Sequence, residues 1–231
     1  MFERLLTLID DDTLKIISNK KLLLVGVGGV GGYAFEALIR SGFSDITIVD
    51  GDTIALSNLN RQIITTEHNI NEEKVLEAQK RALAINSKAH IKPIFAFLTK
   101  ENFSEYINED YDYIIDACDD IKVKIELIKY AQEKNIKIIT CLGTGRKLNP
   151  CKLEITTLNK TYNDPLAKKL RSSLRRENIN LKIPVVFSSE EAIKTVGTIG
   201  SAIFVPAVAG IYLANYIFKD ILNNNYQESV K

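Results

Sequence analysis

Acid, amide and cation follow one another at Asp50, Asn58, Arg61, Lys74 and Asp119, behind a glycine-rich turn, Gly26-Val27-Gly28-Gly29-Val30-Gly31-Gly32. Carboxylates can hold sugar hydroxyls or a hard cation. Arg and Lys can hold phosphates, and a cation beside a phosphoryl group stabilises the charge that builds on it during transfer. The glycines have a matching use. In a G-x-G-x-x-G pattern, Gly26 permits the tight turn, Gly28 lets backbone approach a phosphate, and Gly31 lets a helix pack close to a strand. Gly29, Asp52, Ser57 and Asp120 lie beside these positions and join the candidate nucleotide contacts. A glycine motif alone is weak evidence, whereas the ordered set is specific. Hydride-transfer enzymes share the glycine turn but have no use for an Arg just after the second acid. Enzymes that split ATP between its α and β phosphates do need cations there. The set therefore reads as an ATP site, with Asp50 on the ribose and Asn58, Arg61 and Lys74 on the phosphates. Asp119 would hold Mg²⁺ through water, since Mg²⁺ keeps several waters and takes few carboxylates.

The elements that must carry these residues are legible around them. An apolar strand at 22–25, the glycine turn and a helix to about 41 form one unit, and a strand at 46–49 ends on Asp50-Gly51-Asp52. The helix N-terminus would face the ligand with free N–H groups and a partial positive charge. Asn71 predicts an N-cap, with Glu72 and Glu73 in the first turn, for a helix to about 85. Strands at 91–96 and 113–117, a helix at 121–134 stopped by Asn135, and a strand at 136–142 follow. This alternation predicts an α/β fold: a doubly wound, Rossmann-like, mainly parallel sheet with right-handed crossovers. Beyond Pro150 it weakens to a strand at 152–158, a basic helix at 165–176 and then loops. A single domain is expected, with a nucleotide-binding core over 1–142 and a less regular substrate-side and dimerisation extension over 143–231.

Taken in order, the glycine turn, the Asp50-Gly51-Asp52 pair of acids, Ser57-Asn58-Leu59-Asn60-Arg61-Gln62, Lys74 and Asp116-Ala117-Cys118-Asp119 resemble a known ATP site. It is that of the ubiquitin-activating-enzyme-like adenylyltransferases, the MoeB, ThiF and HesA superfamily, and the resemblance covers about 4–142. From 140 onward the likeness narrows. Asn149-Pro150, Asn163-Asp164-Pro165-Leu166-Ala167 with Lys169-Leu170-Arg171, and Val185-Val186-Phe187-Ser188-Ser189-Glu190 are most similar to the TcdA branch, the tRNA threonylcarbamoyladenosine dehydratases. The resemblance implies ATP-dependent activation of a substrate carboxylate as an acyl-adenylate, followed by ring closure of threonylcarbamoyladenosine in tRNA. It implies catalytic roles for Arg61, Lys74, Asp119 and Arg4, with Arg4 reaching into the ATP site of a second copy in a homodimer. The alternative within the superfamily is adenylation of the C-terminus of a ubiquitin-like sulfur carrier. Outside it, the alternative is an NAD(P)-binding oxidoreductase. Sulfur-transfer or electron-transfer protein partners stay open.

Composition narrows the partners. With 45% apolar and 26% charged residues, the chain has the make-up of an ordinary soluble globular protein. A net charge of +1 gives no whole-chain attraction to nucleic acid, so contact with tRNA must come from local patches. The candidates are Arg146 and Lys147 in one loop and Lys168, Lys169, Arg171, Arg175 and Arg176 in the basic helix, for which a merely solvated face is the other reading. Cys118, Cys141 and Cys151 form no C-x-x-C pair, so no zinc is expected. Cys118 and Cys141, at strand ends, suit packing better than nucleophilic work. His68 and His90 lie in no motif, which leaves positioning and charge stabilisation to carry the rate. The mixed, acidic segment 1–12 has no signal-peptide pattern, and a cytoplasmic location is expected. The uncharged stretch 195–218 is long enough to span a bilayer. Its glycines, Pro206 and Asn215 favour a buried or dimer-interface helix, apolar all round, over about 201–222.

Overall fold

Strands made of uninterrupted apolar residues have no face to give to water, and Leu22, Leu23, Leu24, Ile114 and Ile115 are all fully buried. A parallel sheet covered on both faces is the arrangement this calls for. The structure, a computed structural model, describes residues 1–194 and 196–228. Its strands are β1 (Lys21–Val25), β2 (Asp45–Val49), β3 (His90–Ile94), β4 (Tyr113–Asp116), β5 (Lys137–Cys141), β6 (Leu153–Thr157) and β7 (Pro184–Ser188). They lie in the order β3-β2-β1-β4-β5-β7-β6. All neighbours run parallel except β6, which is antiparallel to β7 at one edge. Pro93 is tolerated in β3 because that strand is the other edge, where a lost N–H breaks no ladder. The helices are α1 (Asp11–Ser18), α2 (Gly31–Arg40), α3 (Lys74–Ile85), α4 (Phe103–Tyr106), α5 (Ile121–Glu133), α6 (Pro165–Arg176) and α7 (Phe204–Glu228). One apolar core joins α1, α2, α3 and α7 to the sheet, and a second joins α4, α5 and α6 to the opposite face. Strand order reverses between β1 and β4, so the ligand crevice is expected at their C-terminal ends.

Three expectations are corrected. The stretch after α6 is not all loop, because Val185, Val186 and Phe187 are buried in β7, which slots between β5 and β6. Asn71 is not a helix cap. It adopts a left-handed φ of 72°, its N–H bonds to the Ile54 carbonyl, and an antiparallel bridge between Thr53 and Glu73 delays the helix to Lys74. The C-terminal helix runs over Phe204–Glu228, starting and ending later than the expected 201–222. Val205, Ala209, Leu213, Ala214, Ile217 and Ile221 face the core, while Phe204 and Ile211 are exposed. Gly210 lets this helix meet α2 backbone to backbone, since a Cβ there would lie 2.3 Å from the Val30 carbonyl oxygen. Phe204–Asn225 is long and apolar enough to cross a membrane, but its inner face is part of the core. Thr195, at the head of the uncharged stretch, lies outside the described residues.

Candidate nucleotide site

The site is built where β1 and β2 end side by side. The Gly26 N–H donates to the Val49 carbonyl at 2.8 Å, and the residue turns with a φ of 88° that other residues rarely adopt. A Cβ on Gly31 would fall 1.8 Å from the Gly26 carbonyl oxygen, so α2 can start directly behind the turn only with glycine there. Gly28 is different: the nearest atom to a Cβ would be Gln62 Nε2 at 3.8 Å, which leaves its front open. The amides of Gly28 and Gly29 have no acceptor among the described residues. Free N–H groups at a helix start are a ready cradle for phosphate.

Asp50 ties the end of β2 to this turn. One carboxylate oxygen accepts the Val27 N–H at 2.7 Å and the other accepts the Asp52 N–H at 2.8 Å. Burial pushes the Asp50 carboxyl up, against the pull of Lys74 and the two N–H donors. Lys74, the first residue of α3 and only 3% exposed, places its ammonium 2.6 Å from Asp52 Oδ2. The two acids and the lysine are therefore one group.

A short turn of 3-10 helix, Leu56–Asn58, carries the next contacts. Asn58 Oδ1 accepts the Ala55 N–H at 3.0 Å, which shapes the turn. The Arg61 guanidinium donates through Nη1 to the Ser57 carbonyl at 2.8 Å and to Asn60 Oδ1 at 2.9 Å. Its stem lies over Gly29, with Cγ 3.4 Å from where a Cβ would be, and Pro206 at the head of α7 touches the same spot. Asn60 Nδ2 donates to the Ser201 carbonyl at 2.9 Å, so the start of the C-terminal helix is tied to the site. Gln62, to which the sequence assigned no role, is buried against Gly28, and its Oε1 has no partner among the described residues. Its place in the 57–62 segment, beside Arg61, was the signal for it.

Asp119 is exposed and hydrogen-bonds to no described residue. Asp120, grouped with the nucleotide contacts from sequence, also caps α5: its Oδ1 accepts the Lys122 N–H at 2.7 Å. Arg4 is exposed near the N-terminus and its guanidinium joins none of these hydrogen bonds. Burial pushes the Cys118 thiol up and the Cys141 thiol to about 12, so both stay protonated.

The basic residues divide. Lys168, Arg171, Arg175 and Arg176, with Ser172, line a shallow hollow on α6, and Lys169 is exposed beside it. Arg171 is half-buried and donates to the Thr161 carbonyl at 3.0 Å and to the Thr161 hydroxyl, so it holds the fold as well as lining the hollow. Lys147 does not belong to an RNA surface. It is 3% exposed, donates to the Ser188 carbonyl at 3.0 Å and lies 4.0 Å from Asp164 Oδ2. Burial lowers its pKa against the pull of Asp164. Arg146 takes a left-handed φ of 61°, and its buried Nε has no partner among the described residues. The motifs of the extension brace one another: Asp164 caps α6 and accepts the Gly143 N–H at 3.0 Å, and Glu190 accepts the N–H groups of Leu148 and Asn149.

Comparison with known proteins places this geometry in context. The ThiF family matches residues 2–230. A tRNA threonylcarbamoyladenosine dehydratase of Bacillus subtilis (strain 168) is 33% identical over 241 residues, covering 96% of this chain and 95% of that protein. Its counterpart in Escherichia coli (strain K12) is 34% identical over 187 residues, covering 78% and 70%. The crystal structure of E. coli TcdA in complex with ATP shares the fold at a TM-score of 0.92 and 30% identity, covering 98% of this chain and 95% of that one.

Proposed function

The chain belongs to the ThiF family, and from that membership we propose that it is an ATP-dependent tRNA threonylcarbamoyladenosine dehydratase. The observation that carries the reading is the full-length likeness to a dehydratase, which takes in the extension as well as the nucleotide core. The free amides of Gly28 and Gly29, flanked by Arg61 and by the Asp50, Asp52 and Lys74 group, are what a nucleotide of this kind requires.

In this reading the phosphates of ATP lie on the glycine amides, and Asp50 takes the ribose hydroxyls. Arg61 has five donors and, among the described residues, engages only those of Nη1, so it can turn its fork to the phosphates without leaving Ser57. Lys74, oriented by Asp52, supplies a second cation. Asp119, exposed and without a hydrogen-bond partner among the described residues, would hold Mg²⁺ as a hard oxygen donor, and the ion would supply neutralisation of charge on the phosphates. The threonyl carboxylate attacks the α-phosphorus, pyrophosphate leaves, and a nucleophile of the same modified side chain displaces AMP to close a ring. The nucleoside loses the elements of one water, its carboxylate oxygen leaving on AMP, and no enzyme thiol is needed, in keeping with the raised pKa of Cys118 and Cys141. The exposed cations of α6 offer the tRNA backbone its contact, a feature for which the tail of a sulfur carrier has no evident use.

The homodimer and the cytoplasmic location belong to the same reading. Exposed Phe204 and Ile211 offer apolar area to a second copy, and Arg4 is free to reach its ATP site. One sheet shared by the core and the extension supports a single domain. The direct test of adenylation is pyrophosphate release from ATP and Mg²⁺ with tRNA carrying threonylcarbamoyladenosine. Release should require that modification. Equal release with unmodified tRNA would reject the substrate, and release on adding only a small sulfur-carrier protein would favour the alternative.

A further inference from the structure

Beneath the site, Asp116, Lys124 and Thr140 form a closed polar cluster with no solvent exposure. The Lys124 ammonium donates to Asp116 Oδ2 at 3.0 Å, to Thr140 Oγ1 at 3.0 Å and to the Cys141 carbonyl at 2.8 Å. All three of its N–H groups are therefore used. The Thr140 hydroxyl donates to the same Asp116 oxygen. The other oxygen of Asp116 accepts the Cys118 N–H at 3.2 Å and the Cys118 thiol at 3.0 Å.

Stability alone gives little reason for this cluster. Taking two charges out of water is costly, and a well-packed apolar set of the same volume is often as stable or more so. What the cluster does, and an apolar set could not, is hold polar backbone in place. The Asp116 carboxylate fixes the amide just after Ala117. The Ala117 carbonyl in turn walls the glycine turn, 2.8 Å from where a Cβ on Gly26 would be, and the Ala117 side chain lies 3.2 Å from where one on Gly31 would be. Asp119 is the next residue but one. The same ammonium holds the carbonyl at the end of β5, where the segment of Gly143 and Asp164 begins. Lys124 can reach all of these because it sits in the first turns of α5, directly after the loop it braces.

We propose that Lys124, acting through Asp116 and Thr140, is a positioning residue. It sets the Ala117-Cys118-Asp119 turn against the glycine turn and the end of β5, so that Asp119 meets Mg²⁺ and the phosphates at a fixed place. The inference rests on the ATP reading given above and adds to it a residue that touches neither nucleotide nor metal.

Three variants of the full chain test it: Lys124→Met, the isosteric Thr140→Val, and Thr140→Ser, which keeps the hydroxyl. ATP binding is measured by calorimetry with and without Mg²⁺, and pyrophosphate release with modified tRNA is measured against ATP concentration. Lys124→Met and Thr140→Val should lower kcat roughly tenfold or more, with KM for ATP within about threefold of the parent. Both should also shrink the gain in ATP affinity that Mg²⁺ brings, by no more than that same threefold, and Thr140→Ser should retain kcat and gain alike. Folded variants with the parent's kcat and the full Mg²⁺ gain would overturn the inference, as would equal losses in Thr140→Val and Thr140→Ser. If Lys124→Met fails to fold, the threonine pair decides. The parent protein separates this inference from the function reading. Absence of tRNA-dependent pyrophosphate release there rejects the function and leaves Mg²⁺-linked ATP binding to decide the inference. Absence of any Mg²⁺ effect on ATP binding by the parent overturns the inference itself.

Discussion

At the scale of single residues, Arg61 bears most of the proposed chemistry. It stands over Gly29 with most of its donors free, where charge would build on the α-phosphoryl group. Arg61→Ala should reduce pyrophosphate release by about 100-fold or more while leaving the unfolding temperature near that of the parent, since the side chain supports a surface turn and no core. Near-normal release would remove Arg61 from the phosphate site. The placement of such residues was legible in the sequence because their spacing is set by local turns: Asp50 follows directly on β2, and Arg61 lies three residues past the end of the 3-10 turn. Lys147 was not legible. Its partners, Asp164 and Ser188, lie far along the chain, and only the folded sheet brings them to it. Asp120 has a second role that the sequence reading passed over, since a carboxylate just before a helix also serves the helix amides.

At the scale of elements, α6 shows how far local chemistry reaches. Asp164 at its cap, Pro165 at its first position and Leu170 and Leu174 on its inner face define it completely, and the expected bounds of 165–176 are the observed ones. Its outer face supports a prediction that the burial of Arg171 refines. Neutralising Lys168, Lys169, Arg175 and Arg176 while keeping Arg171 should weaken tRNA binding and leave ATP binding unchanged. The slope of log affinity against log salt should become shallower by about one for each phosphate that the variant no longer neutralises. Unchanged affinity and slope would move the RNA surface elsewhere. β7 marks where sequence reading ran out. Five residues between loops carry little periodicity, and their strand identity comes from β5 on one side and β6 on the other. Asn71 failed for a related reason, because a bridge to Thr53 takes the segment that a local cap would have used.

At the scale of the whole molecule, the sheet places the glycine turn and Asp119 after β1 and β4, at the reversal of strand order, with the extension's β7 and β6 beyond β5. That much follows from the alternation of strands and helices. The proposed second copy does not, because nothing local distinguishes an exposed Arg4 from one that would serve a neighbour. Light scattering should give twice the mass of one chain, and Arg4→Ala should lose pyrophosphate release. Mixing the Arg4→Ala and Arg61→Ala variants should then restore part of it, since a mixed dimer carries one site with both arginines. A monomer with full activity in the Arg4→Ala variant would reject the shared site. The central claim concerns the nucleoside, and mass spectrometry reads it directly. tRNA carrying threonylcarbamoyladenosine, treated with the parent protein, ATP and Mg²⁺ and then digested, should yield that nucleoside lighter by one water. The change should be absent without ATP and with Arg61→Ala. An unchanged nucleoside mass after complete ATP-dependent incubation would contradict the account.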